Sequence, residues 1–212
     1  MGNYLVPDIT IILTVYNREK YIKRSIDSII RQEFKNWRLI VIDDGSDDDS
    51  YKILMNYSLY HKNIEIFRQG NRKLAISRNR GIRLATSKYL TFIDSDDEYS
   101  EGHLQDRVKF MEANSQIDLI HGGVKIIGSE YVRDKYNPNK FIHLSECTIG
   151  ATLFGKTEVF KELKGFKNIS YSEDSDFLER AEKLFNVRKV EFETYIYHRE
   201  LNDSITNTYV PE

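Results

Sequence analysis

Short runs of β-branched and aliphatic residues alternate, over the first hundred positions, with segments whose apolar side chains recur every three or four residues. Few folds accommodate that alternation. Residues 8–15 read as a buried strand, followed by the polar, turn-like Tyr16-Asn17-Arg18. Over residues 19–32, Tyr21, Ile22, Ile26, Ile29 and Ile30 fall at helical spacing, which predicts one buried stripe. A strand is then expected over 37–42, a helix over 51–60, a strand over 64–67, a helix over 75–85 and a strand over 89–93. Such βαβ alternation implies an α/β class with a mixed, mostly parallel, Rossmann-like sheet flanked by helices. Right-handed crossovers put the carboxyl ends of its strands on one edge, where ligands bind in open α/β sheets.

Beyond residue 100 the pattern loosens: a helix is predicted over 101–113, a strand over 118–127, and an irregular polar stretch over 128–140. Residues 150–154 read as a further strand, and 157–163 as a short helix stopped by Gly165. A longer helix is expected over 173–185, with Phe177, Leu178, Ala181 and Leu184 on its buried face, and a loose tail from Asn202. With three prolines, no repeat and no linker-like segment, one domain over 1–212 is expected, a regular half at 8–100, an embellished half at 101–205 and a loose end at 206–212.

With 40% hydrophobic and 30% charged residues there is material for a core and no case for disorder. A formal charge of −2 supplies no global field for a nucleic-acid backbone, so no nucleic-acid partner is expected. Cys147 is the one cysteine, which excludes internal disulfides and thiolate-rich zinc sites and fits a cytoplasmic location. The longest apolar stretches, 9–16 and 39–42, fall short of the roughly 20 residues that span a bilayer. Residues 1–6 carry neither a signal-peptide pattern nor a myristoylation motif, so no targeting is expected. Peripheral contact with a membrane stays open.

Acidic residues gather directly after two predicted strands: Asp43-Asp44-Gly45-Ser46 and Asp94-Ser95-Asp96-Asp97. Both clusters land on the same sheet edge. Like charges so close repel unless a cation lies among them, and hard oxygen ligands suit Mg²⁺ or Mn²⁺. Asp47-Asp48-Asp49 reads instead as a helix N-terminus, where carboxylates are favoured by the dipole. An EF-hand loop from Asp94 fits poorly, since Tyr99 stands at the sixth position, where glycine is needed. An aspartyl-nucleophile phosphatase also fits poorly, since the acidic cluster follows the fourth strand and has Glu98 at its fifth place. Neither a Gly-x-Gly-x-x-Gly turn nor a phosphate-binding Gly-Lys-Ser/Thr loop occurs, and no serine-hydrolase elbow is complete.

Several ordered pieces together resemble the inverting nucleotide-sugar glycosyltransferases of family 2, which have the GT-A fold. They are Thr14-Val15-Tyr16-Asn17, Ile42-Asp43-Asp44-Gly45-Ser46-Asp47, Ser77-Arg78-Asn79-Arg80-Gly81-Ile82 and Phe92-Ile93-Asp94-Ser95-Asp96-Asp97. Gly165-Phe166, Glu173-Asp174, Tyr197-His198-Arg199 and Ser204-Ile205-Thr206 follow, so that the resemblance spans roughly 8–205. It implies that Thr14 and Tyr16 border a nucleobase and that Asp43 accepts from the imide of uracil, which favours a UDP-sugar donor. Arg78 and Ser95 would also contact the nucleotide, and Asp94 its ribose or the metal sphere. Asp96, Asp97 and His198 would serve Mn²⁺ or Mg²⁺, with Arg199 the alternative to His198 at the diphosphate.

Asp174 matches the family's base, which removes the proton of an acceptor hydroxyl as it attacks, inverting the anomeric centre. Its structural alternative is capping of the helix it begins. Glu173 is placed to share the role, whereas Asp176 should point elsewhere. The acceptor expected is a saccharide or a lipid-linked one. Tyr171-Ser172 replaces the usual small residues before Asp174, so the acceptor pocket is not legible in the motif. Two other readings stand beside transfer: a catalytically silent nucleotide-sugar binding domain, and a nucleotidyltransferase, for which the loop Tyr16-Asn17-Arg18 lacks the usual Gly-rich character.

Overall fold

The first predicted run becomes β1 (Ile9–Val15), with every residue but Thr14 buried. A computed structural model describes residues 7–134, 137, 139–169 and 172–201. In chain order there follow α1 (Ile22–Ile30), β2 (Trp37–Asp43), α2 (Ser50–Tyr60), β3 (Ile64–Arg68), α3 (Leu74–Leu84) and β4 (Tyr89–Asp94). Then come β5 (Glu98–Tyr99), α4 (His103–Ala113), β6 (Leu119–His121), β7 (Val124–Gly128), β8 (Tyr131–Arg133) and β9 (Phe141–His143). The last elements are β10 (Phe154–Lys156), α5 (Thr157–Glu162), α6 (Glu173–Glu182), β11 (Val187–Lys189) and β12 (Tyr195–Arg199).

Seven strands form one sheet in the order β11-β6-β10-β4-β1-β2-β3, parallel except for β10, which runs against both β4 and β6. Period-two alternation divides its side chains between two layers. Ile9, Ile11, Leu13 and Val15 pack against Ile22, Ile26 and Ile29 of α1 and Leu104 and Val108 of α4. Ile12, Leu90 and Phe92 face the opposite way, against Ile82 of α3, Phe160 of α5 and Phe177 of α6. Gly81 lets α3 approach β1, since a Cβ there would stand 2.6 Å from Ile12 Cγ2. Asn79 locks the same layer by accepting from Phe166 N and donating to Phe166 O, both at 2.8 Å.

The second half departs from the sequence reading. The strand expected over 118–127 is broken at Gly122 and Gly123, whose φ values of +91° and +71° turn the chain. β6 therefore stays in the main sheet, while β7 joins a smaller one of order β5-β12-β7. The stretch expected to be irregular contains β8, which pairs antiparallel with β9. Gly150–Thr152 is a 3-10 turn rather than a strand, and the strand begins at Phe154. α6 ends at Glu182, leaving Leu184 72% exposed while Phe185 packs against the core. The tail beyond Leu201, including Ser204-Ile205-Thr206, lies outside the described residues, as does Tyr171. Among the described residues, no helix is long and apolar enough to cross a membrane.

Candidate active site

Strand register brings the two acidic turns together. Thr14 of β1 lies opposite Ile42 of β2 and Asp94 of β4, and Val15 lies opposite Asp43. The sheet order reverses at β1, between the β2 and β4 sides, and such a switch point opens a crevice at the carboxyl ends. A cleft of about 1340 Å³ lies there, lined by Thr14, Tyr16, Arg78, Asp94, Ser95, Asp96 and Asp174 among others.

Arg78 is the hub of this cleft. Its side chain is 4% exposed and its guanidinium reaches Asp94 Oδ1 at 2.8 Å and Glu173 Oε1 at 3.2 Å. Burial works against its charge, yet Asp94 and Glu173 more than offset this and raise its pKa above the ordinary arginine value. The rings of Phe92 and Phe166 lie 5.7 and 5.4 Å from the guanidinium carbon. Arg78 is thus a buried part of the cleft wall and not one of a solvated row of arginines on α3.

Asp174 lies in the first turn of α6, next to Glu173. Its Oδ2 accepts from Gly150 N at 3.0 Å and its Oδ1 from Ser175 N at 2.8 Å. Burial, and then the negative charge of Glu173, push its pKa up to about 6, against the opposing pull of Arg78 and those two amides. Asp174 thus serves its helix and faces the cleft at once. Asp176 points elsewhere, as expected, paired with Lys167 and Arg180.

Asp94 is partly open, with 32% of its side chain exposed. Asp96 is the more enclosed, 3.9 Å from Arg18 Nε, and its carbonyl accepts from Arg24. Asp97 and His198, both assigned to the metal from sequence, are placed differently. A turn closed by Asp97 N and Asp94 O directs Asp97 away from the cleft. Its carboxylate is fully buried and accepts from Tyr195 OH at 2.7 Å and His198 N at 2.8 Å. Burial, Asp94 and Asp96 hold its pKa well above the carboxylate range, so this acid joins β12 to the acidic turn. The His198 ring is engaged at Nδ1 by Glu200 (2.6 Å) and at Nε2 by Glu98 (3.0 Å), and it does not line the cleft. Arg199 is buried and donates to Tyr131 O. Among the described residues, no three His, Cys, Asp or Glu side chains converge on a point where a metal ion would sit.

Asp43 is wholly buried behind the cleft, its Oδ1 accepting from Ser46 N and its Oδ2 lying 3.1 Å from Arg68 Nε without a properly aligned hydrogen bond. Sequence reasoning left Asp44 without a role. Its carboxylate takes Gln69 Nε2 at 2.7 Å and the amides of Arg72 and Lys73, and so shapes the loop ahead of α3. Tyr197 of β12 also stands on the cleft wall. No spacing rule points to either role, since both depend on contacts between distant segments.

The model of the family described as Glycosyl transferase family 2 matches residues 10–172. An uncharacterized glycosyltransferase of Methanocaldococcus jannaschii is 30% identical over 190 residues, covering 84% of this chain and 65% of its own. Glycosyltransferase GlyA of Streptococcus pneumoniae is 39% identical over 173 residues, covering 78% of this chain and 24% of its own. The crystal structure of S. aureus TarS 1-349 in complex with UDP-GlcNAc superposes with a TM-score of 0.79 at 21% identity, over 96% of this chain and 62% of that one. The mannosyltransferase PcManGT from Pyrobaculum calidifontis, in complex with GDP-Man and Mn²⁺, gives 0.72 at 20% identity, over 91% and 57%. The first curated relatives are longer proteins, of which this chain spans 65% or less. On the match to its family model, and with the GT-A fold of its structural neighbours, the chain belongs to glycosyl transferase family 2.

Proposed function

We propose that this chain is an inverting hexosyltransferase that moves a sugar from a nucleoside diphosphate, UDP first, to a hydroxyl of a saccharide or lipid-linked acceptor in the cytoplasm. The observation that carries this reading is Asp174: a carboxylate with its pKa near 6 faces the same cleft as Asp94, Ser95 and Asp96. A base of that strength is largely ionised at neutral pH yet still accepts a proton. As the acceptor oxygen forms its bond to the anomeric carbon, its proton passes to Asp174. The bond from that carbon to the diphosphate oxygen breaks with its electron pair, and configuration inverts.

Thr14 and Tyr16 border the nucleobase on the cleft wall, and Asp43, now buried with its Oδ2 3.1 Å from Arg68, accepts a hydrogen bond from the imide of uracil once the loop after β2 moves to admit the base. Arg78 keeps Asp94 and Glu173 fixed, so that the donor and base sides of the cleft keep one geometry. The acids present suit Mn²⁺ or Mg²⁺: Asp94 and Asp96 are hard oxygen donors on the cleft wall, and such ions are commonly held by one or two carboxylates together with substrate phosphates. When bound, the ion would stabilise charge developing on the departing diphosphate.

The ionised, positioned base favours transfer over a silent binding domain. Release of UDP from UDP-sugars, measured with and without Mn²⁺ against a library of saccharide and lipid-linked acceptors, tests the proposal. Turnover that needs Asp174 supports it, and sugar-nucleotide binding without any release would leave the silent domain standing.

A further inference from the structure

Lys73 adopts a backbone conformation that belongs to glycine. Its φ is +72° and its ψ 168°, a corner of dihedral space that side chains almost never occupy because a Cβ there crowds the backbone. The surroundings impose it. Asp44, itself buried, accepts the amides of Arg72 at 2.9 Å and Lys73 at 2.8 Å, which fixes the path of the loop into α3. Glycine would follow that path without strain, and strained residues that persist cluster at functional sites.

Lys73 also lines the cleft that holds Thr14, Asp94 and Asp96, and its amide ties it to Asp44 in the first acidic turn. Of the cations lining the cleft, Arg133 packs against Phe141 and Lys140 precedes β9. Arg18, Arg78 and Lys73 are the ones tied to the two acidic turns, and these three differ in what is left to them. Arg78 is committed to Asp94 and Glu173. Arg18 stands 3.9 Å from Asp96 and donates to Asn17 O. The ammonium of Lys73 has no hydrogen bond or ion pair among the described residues. A nucleoside diphosphate entering a cleft walled by Asp44, Asp94 and Asp96 needs positive charge to meet it.

We propose that Lys73 contacts the diphosphate of the donor through its ammonium, and that the strained backbone is retained for this contact. The inference rests on the nucleotide-sugar reading above.

Lys73→Gly removes the ammonium and the strain together, so the variant is expected to fold with an unchanged or higher Tm. Calorimetric titration compares wild type and variant with UDP, with GDP in parallel, and with uridine and guanosine. The Kd for the diphosphate is expected to rise about tenfold, the usual size of one charge-assisted hydrogen bond, while the nucleoside Kd stays the same. Unchanged diphosphate affinity overturns the contact, as does equal weakening for nucleoside and diphosphate. A lower Tm overturns the strain argument. If wild type binds neither UDP nor GDP, the donor reading fails and this contact fails with it; if wild type binds and the variant matches it, only the contact fails.

Discussion

Arg78 donates to Asp94 over 2.8 Å across the point where the sheet reverses its strand order, with the guanidinium almost wholly withdrawn from water. The pair ties α3 to the end of β4, and Glu173 extends it to α6. Arg78→Ala would leave two carboxylates facing each other without a counter-charge. A loss of about 3 kcal/mol or more in urea-monitored stability is expected, since removing one partner of a buried pair leaves the other uncompensated. Arg78→Lys should recover only part of it, because an ammonium cannot replace the two-pronged fork. Full stability in Arg78→Ala would disprove the hub role.

Catalysis should follow the ionisation of Asp174. Its pKa is raised to about 6, by burial first and Glu173 second, so kcat is expected to fall about tenfold per pH unit below that point and to level off above it. Stability runs the other way. A raised carboxylate contributes stability that is fully present below its unfolded value of 3.8 and is lost as pH rises through about 6. Asp174→Asn should therefore keep or raise Tm at pH 7.5 and retain UDP binding, while transfer falls about 10² to 10⁴-fold. Near-normal turnover would remove Asp174 from the reaction.

His198→Ala should leave Mn²⁺ affinity untouched and lower Tm, because both ring nitrogens are engaged by Glu98 and Glu200. Tyr195→Phe takes one of the two donors from buried Asp97 and should cost about 1–3 kcal/mol. A drop in Mn²⁺ affinity in His198→Ala would return this residue to the metal.

Asp96→Ala should abolish the Mn²⁺-dependent part of the Tm rise produced by a UDP-sugar, since stabilisation by a ligand follows its affinity and concentration. A thermal scan with and without the ion reads this directly. An unchanged metal-dependent rise would show that Asp96 does not hold the ion.

Gly81→Ala tests the fold apart from the chemistry. The added methyl would stand 2.6 Å from Ile12 Cγ2 between α3 and β1, an overpacking expected to cost about 1–3 kcal/mol. A variant of wild-type stability would show that this layer can yield.

The regular half of this chain is written in local pattern. Residues 8–94 declare α1 by apolar recurrence every three or four positions and the central strands as short β-branched runs bounded by turn residues, since those strands are buried on both faces. Asp43 and Asp94 abut apolar strands, so the edge of the sheet that carries them was readable too. The second half was less legible. Gly122 and Gly123 split one apolar run between two sheets, and β8 and β9 find each other across a polar stretch. Local sequence also could not separate Asp96 from Asp97, neighbours with the same side chain. One faces the cleft and the other is buried against Tyr195 and His198, nearly a hundred positions away. Sequence by itself determined which residues carry charge and which strands end beside them. The tertiary structure decided which of those charges meet, because burial and pairing depend on contacts between segments whose separation along the chain leaves no local trace.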